Sequence, residues 1–319
     1  MKYTPILAIL SLALLAACAP EQKVELQSFL GGNDAVVVTF TPNSPPSEAY
    51  DGGESPFDVE VKLENKGEFN VPLDKARVKI TGVRAPEFNL AEENLAKRPD
   101  EDLIARSLTT DGKELPSNPV FVTFPNFNHV GFITGSALTY PIRADVCTIY
   151  QTQAVSKLCV RENILNPIAG GICEINEDKP FANSGAPVQI ANVKESARAK
   201  DKIAFTFDVK HVGTGAVYEK ESTCDKTTRT PADRVHLLVE TRVPGLTCSQ
   251  LNPTREGVVE GFRKILDGSS TITCTQTVSR GDYELPLTIT LTYDYETTVQ
   301  TDVTIKHTGE TQPSTPSTA

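Results

Sequence analysis

The chain has no tryptophan, and its single methionine is the initiator. The first absence excludes a Trp-lined platform for stacking sugar rings; the second excludes a Met-rich adaptable groove. Four histidines, His129, His211, His236 and His307, are scattered singly and no C-x2-C pair occurs, so no metal-ligand spacing is present. H-E-x-x-H, the G-x-S-x-G elbow, S-x-x-K and the P-loop are all missing, and Gly213-Thr214-Gly215 does not continue into G-x-G-x-x-G. Zinc hydrolysis, the common serine nucleophiles and phosphate cradling therefore lack their local cues. Only a triad assembled from distant residues escapes this search, because triads are defined by geometry rather than spacing. Positive charge is also scarce: 31 Lys and Arg stand against 41 Asp and Glu, a formal charge of −10. That balance argues against nucleic acid and against an anionic membrane surface as partner. There is no glycosylation sequon, since Asn252-Pro253-Thr254 carries the excluded proline. No cofactor is expected, and the expected role is non-catalytic.

What is present begins at the N-terminus. Lys2 precedes the apolar run ILAILSLALL (6–15), which is shorter than the ~20 residues that a bilayer span requires. The run ends in Ala16-Ala17, so residues 1–17 read as an export signal. Leu15-Ala16-Ala17-Cys18 resembles the lipobox of bacterial-type lipoproteins. That resemblance implies that Cys18 becomes the mature N-terminus and carries lipid. The protein would then sit outside the cytoplasm, at the cell surface, on the cell membrane or an outer membrane. Six cysteines remain: Cys147, Cys159, Cys173, Cys224, Cys248 and Cys274. An even set in an exported chain reads as disulfides. Fifteen connectivities are open, and only Cys248 with Cys274, in one C-terminal β segment, is singled out. Local pairs within 147–173 would close loops of about 12–14 residues, each worth roughly 3 kcal/mol.

After a tether at 18–34, ending in Gly31-Gly32, apolar residues recur with period two. PFDVEVKLENKG (56–67), KARVKITGV (75–83), KIAFTFDVKH (202–211), RVHLLVETRV (234–243) and LPLTITLTYDYE (285–296) each alternate inward and outward residues, the mark of half-buried strands. Turn clusters such as TPNSPPSEAYDGGES (41–55) separate them. Short helices are expected only within 87–108, and EGVVEGFRKIL (256–266) suits a helix or a hairpin equally. The expected fold is all-β, with two or three immunoglobulin-like antiparallel sandwiches. A first unit covers 35–145, a cysteine-rich stapled connector 146–185, and a second region 186–307, either whole or divided into 186–230 and 231–307. The polar segment TGETQPSTPSTA (308–319) reads as a disordered tail.

VEVKLENKGEFNV (59–71) and FTFDVKHVGTGAV (205–217) align without a gap at an offset of 146. Gly67 and Gly213 fall at the same place, two residues after Asn65 and His211, where a strand runs into a tight turn expected to need positive φ. The strand followed by NKGE resembles the CARDB-type immunoglobulin-like modules of prokaryotic surface proteins. YPIRADVCTIYQTQAVSKLCV (140–160), APVQIANV (186–193) and DVKHVGTGAVY (208–218) also look like secreted β-sandwich proteins of archaea. These resemblances imply display, binding or adhesion at a cell surface. The membrane would be reached through the N-terminal lipid, and the partner would be a surface protein or polymer that the sequence does not identify. A second reading is a surface-layer or filament subunit whose AVVVTF segment (35–40) completes a neighbour's sheet. A hydrolase of envelope polymers is the third.

Three smaller features have plain readings. Arg280-Gly281-Asp282 reads as a hairpin turn, and His211 as a turn or edge residue. The acidic groups at 51–54, 92–93 and 100–102 lack the calcium-loop pattern and read as solvated faces. Thiol titration of the unfolded, unreduced mature protein is expected to find no free thiol; six reactive thiols would place the chain in a reducing compartment.

Overall fold

The computed structural model describes residues 29–168 and 170–309; Cys18 and the segment around it lie outside the described residues. Alternation becomes strand nearly throughout. The first half contributes β1 (Val36–Phe40), β2 (Glu48–Tyr50), β3 (Phe57–Asn65), β4 (Ala76–Thr81), β5 (Ala96–Lys97), β6 (Ser107–Leu108), β7 (Glu114–Leu115), β8 (Val120–Phe127) and β9 (Ala137–Val160). The second contributes β10 (Phe181–Asn183), β11 (Val188–Ala199), β12 (Lys202–His211), β13 (Ala216–Glu219), β14 (Arg234–Glu240), β15 (Leu246–Cys248), β16 (Asn252–Arg255), β17 (Val258–Lys264), β18 (Ser269–Thr277) and β19 (Tyr283–Lys306). The helices expected within 87–108 are only 3-10 turns, Ala85–Phe88 and Glu92–Leu95. Pro86 opens the first, and Asn89 in the left-handed region closes it after one turn. Residues 256–266 form the hairpin: Gly257, at φ +67°, turns β16 into β17.

The fold is an all-β, antiparallel β-sandwich architecture organised on one ribbon. β9 and β19 are 24 residues each and pair along their whole length, from Val160↔Tyr283 to Ala137↔Lys306. At 3.3–3.4 Å per residue such a strand reaches up to roughly 80 Å. The ribbon is the centre of a sheet with the order β16-β17-β14-β19-β9-β4-β5. Two smaller sheets, β1-β3-β8 and β11-β12-β18-β15, complete the sandwiches, and the buried side chains of all three join in one continuous core. The boundary expected at 145/146 therefore falls inside β9. The alternation of buried and outward positions from Ile142 to Ala154 never breaks, with Thr148 and Thr152 among the buried set, so the cysteine-rich segment begins as central strand and becomes a loop only after Val160.

The repeat has a structural counterpart. Tyr150 of β9 is fully buried, and its hydroxyl donates to Asn65 Oδ1 at 2.9 Å. Tyr295 of β19 receives the Gly215 N–H at 2.6 Å and lies 3.5 Å from His211 Nε2. Residue 295 is 145 positions after 150, and Ile149 pairs with Asp294, also 145 apart, so the two long strands are related by a near-twofold axis through that pair. Each half lays its own strand and turn, β3 with Asn65 or β12 with His211, over its own tyrosine on one face of the ribbon.

The two glycines do not serve the expected purpose. Neither Gly67 nor Gly213 has positive φ. A Cβ on Gly67 would overlap the Tyr150 hydroxyl and come within 2.6 Å of the Gly185 carbonyl; one on Gly213 would overlap the Tyr295 hydroxyl. Close approach, not backbone handedness, demands glycine here.

The tether is not free at its end. Glu68 accepts from the Leu30, Gly31 and Gly185 N–H groups at 2.6–2.9 Å, and Gly32 O accepts from Ala186 N. Residues 30–32 are thereby docked at the seam between halves, on the tyrosine face. Thr308, expected in a disordered tail, bonds Asp51 through its N–H and Oγ1, and residues 310–319 lie outside the described ones. Gly67→Ala is expected to lose at least about 2 kcal/mol by overpacking, whereas Gly112→Ala, with open space around it, loses about 1 kcal/mol from its positive φ alone. Urea denaturation at constant m measures both.

Candidate functional site

Three disulfides form: Cys147–Cys224, Cys159–Cys173 and Cys248–Cys274. The third joins register partners of β15 and β18, as singled out from the sequence. Cys159–Cys173 staples the loop that follows β9. Cys147 does not pair locally; it reaches 77 residues along the chain and ties the 220–228 loop onto the ribbon.

That link builds a trough of about 530 Å³ on the ribbon face opposite the tyrosines. Its floor is Cys147 and Ile149 of β9 with Asp294 of β19, beside the near-twofold axis. Sheet order puts β4 and β5 on one side, bringing Lys75, Arg77, Lys97 and Arg98. Glu221 and Thr223 of the tied loop stand on the β19 side, and exposed Asp74 also lines the trough.

Charge on this face is sorted. The carboxylates of the β19 side are consumed by the loop. Asp294 accepts from Glu221 N (3.1 Å), Thr223 N (2.7 Å) and Ser222 Oγ (3.3 Å); burial pushes its carboxyl above the usual range even so. Glu296 holds Lys226 at 2.9 Å. Asp145 accepts from Thr81 and Thr298 and lies 3.7 Å from Lys226. On the β4 side Arg77 and Lys79 point outward at alternate positions of the strand, and Lys75, the last residue of a 3-10 turn, is exposed just before it. Neither these three nor Arg98 makes an ion pair among the described residues. Lys97 is engaged, donating to Thr123 O at 2.6 Å with its ammonium over the Phe124 ring.

The other residues marked in the sequence lie elsewhere. Asn65, Gly67, His211 and Gly213 are brought to the tyrosine face and shape the core rather than a cleft. Asp282 of the RGD tripeptide is held through one carboxylate oxygen, Oδ1, by Arg161 Nε at 3.3 Å and Glu162 N at 2.7 Å. Arg161 is itself buried, bonding the carbonyls of Cys173 and Ile168 and bracing the stapled loop. No group of three or more His, Cys, Asp or Glu is placed to hold a metal ion among the described residues. Known protein families and curated proteins alike supply no match to the chain.

One acidic segment departs from its reading. Asp51 is fully buried rather than solvated, and accepts from His307 Nδ1 (2.7 Å), Ile133 N, Thr308 N and Thr308 Oγ1. Burial alone would raise its pKa; the four bonds outweigh this and hold it well below the usual carboxylate range. Depression of the folded-state pKa means that Asp51 stabilises the fold above about pH 4, the unfolded value, and that this contribution fades as pH falls below it. Asp51→Asn is expected to lose about 2–3 kcal/mol at pH 7 and to flatten the stability curve between about pH 5 and 2. Denaturant titrations across that range measure the difference.

Proposed function

We propose that the protein is a non-catalytic binding module displayed outside the cytoplasm, lipid-anchored through Cys18, with the trough as its recognition surface. The observation that carries the reading is the Cys147–Cys224 link. A disulfide closing a 77-residue separation is spent on holding one wall of a surface trough against the ribbon. Three disulfides fit an oxidising, extracytoplasmic setting. No helix among the described residues is long and apolar enough to cross a membrane. Residues 30–32 dock on the tyrosine face and the trough opens on the other, so a tether leaving toward a membrane leaves the trough accessible. The resemblance of the Asn65-Lys66-Gly67 turn to CARDB-type surface modules supports the same assignment.

Assembly through sheet edges is the second reading. β1 is an edge strand, and ladder bonds at Ala35 and Thr41 turn the backbone groups of Val36, Val38 and Phe40 away from β3. Val36 O already meets Thr297 Oγ1 of the same chain at 3.5 Å, which favours the display reading. The Cys18→Ser variant is expected to leave the membrane fraction and to run as a monomer at every concentration in size-exclusion chromatography. Continued membrane binding would contradict the anchor, and open-ended species would favour the assembly subunit.

A further inference from the structure

We infer that Leu165, Ile168 and Ile172, on the loop stapled by Cys159–Cys173, sink into the neutral bilayer surface that holds the chain's own lipid, so that the ribbon stands on that end; this rests on the reading of Cys18 as the anchor. Three observations lead to that partner.

The first is how the loop is built. Ile164 and Ile175 are buried, whereas Leu165, Ile168 and Ile172 are turned outward with 49%, 82% and 63% of their surface exposed. No charged residue stands between Asn163 and Cys173. The backbone under these side chains is braced. The disulfide closes the loop over a separation of 14, and the buried Arg161 guanidinium donates to the Ile168 and Cys173 carbonyls at 2.9 and 2.7 Å. Gly171 lies so close to that guanidinium that a Cβ there would overlap it. Large apolar side chains held outward by a fixed backbone mark a contact surface.

The second is where the anchor enters. Glu68 holds the N–H groups of Leu30, Gly31 and Gly185, and Asn183, just before that glycine, pairs with Ala154 of β9. The chain therefore joins the fold about level with Ala154, six positions from Val160, where the loop begins, and seventeen from Ala137 at the opposite ribbon end. At 3.3–3.4 Å per residue these are about 20 and 57 Å. Twelve steps of chain separate Cys18 from Leu30, and at full extension they reach at most about 40–43 Å. A lipid on Cys18 can lie level with the loop, with roughly 20 Å to spare. The opposite end, where Val130, Phe132 and Leu138 are exposed, lies beyond that reach.

The third is charge. Glu162, Glu174 and Asp282 are exposed around the loop, against Arg280 alone, and the whole chain carries −10. Anionic headgroups are repelled, and an uncharged surface admits the apolar side chains without that cost.

The test exploits the absence of tryptophan from the chain, since a single substitution then reports its own surroundings by fluorescence. The full mature chain is purified in neutral detergent with disulfides intact and reconstituted into phosphatidylcholine vesicles as Ile168→Trp, Ile172→Trp or Leu138→Trp. The reference for each is the same substitution in the unlipidated Cys18→Ser chain in buffer. Ile168→Trp and Ile172→Trp are expected to shift their emission to the blue, and brominated lipids are expected to quench them at a depth of about 5–10 Å. Leu138→Trp is expected to show neither effect. All three side chains are exposed, and circular dichroism with a thiol count confirms that the variants stay folded. The mass of the N-terminal peptide shows whether Cys18 carries lipid; an unmodified cysteine would overturn the anchor and this inference together. A lipidated chain whose Ile168→Trp and Ile172→Trp emissions stay unshifted would overturn the inference alone and leave the loop to a protein partner. An equal shift in Leu138→Trp would overturn the end-on orientation.

Discussion

The pairing of β9 with β19 is the interaction on which everything else rests. A strand of ordinary length, about five or six residues, closes one sandwich; a strand of 24 runs on into the next. Because each sandwich uses part of both long strands, neither half retains a complete central sheet without the other. The core is accordingly continuous, and residues 30–32 and 185–189 are knotted together at the seam by Glu68, Gly32 and Gln189. The ribbon also divides the molecule by face. Even positions 142–154 of β9 and odd positions 285–295 of β19 are buried under the two smaller sheets, and the opposite set faces away from them, Asp294 and Glu296 being covered there by the 220–228 loop.

On the buried face the two halves behave alike; on the open face they do not. Tyr150 and Tyr295 are each capped by a strand and a glycine-bearing turn from their own half. Across the ribbon, β4 of the first half offers bare cations, while the 220–228 loop of the second half covers the carboxylates and is fixed by Cys224. The trough is the step between a covered half and an uncovered one.

Much of the fold was legible in the sequence, for a simple reason. A strand with one wet and one dry face writes its period directly, and each of the five alternating segments lies wholly or mainly in strand. The Cys248–Cys274 pair was legible because both residues fall in adjacent strands close in sequence. The boundary at 145/146 was misplaced because cysteines and polar turns usually signal an exit from a sheet, whereas here Cys147 and Cys159 sit within a strand that simply continues. Gly67 and Gly213 were placed correctly but explained wrongly, since no sequence states which side chain a missing Cβ makes room for. Asp51 could not be read as buried, because its four donors come from segments about 80 and 256 residues away. The cation row was visible in KARVKITGV, but as an ordinary wet face. It becomes one wall of a trough only when Cys224 arrives from far along the chain to build the other.

The near-twofold axis through Ile149 and Asp294 has an evolutionary consequence. Two separate copies of one half could meet in the same way, each lending a long strand to a shared ribbon, so the present chain has the geometry of a symmetric dimer whose partners have been joined end to end. A true dimer would be obliged to repeat any feature near its axis. Joining the partners removes that obligation, letting one side gain a lid and a covalent fastener while its counterpart keeps its cations bare, and so a surface that symmetry would have made reversible acquires a direction.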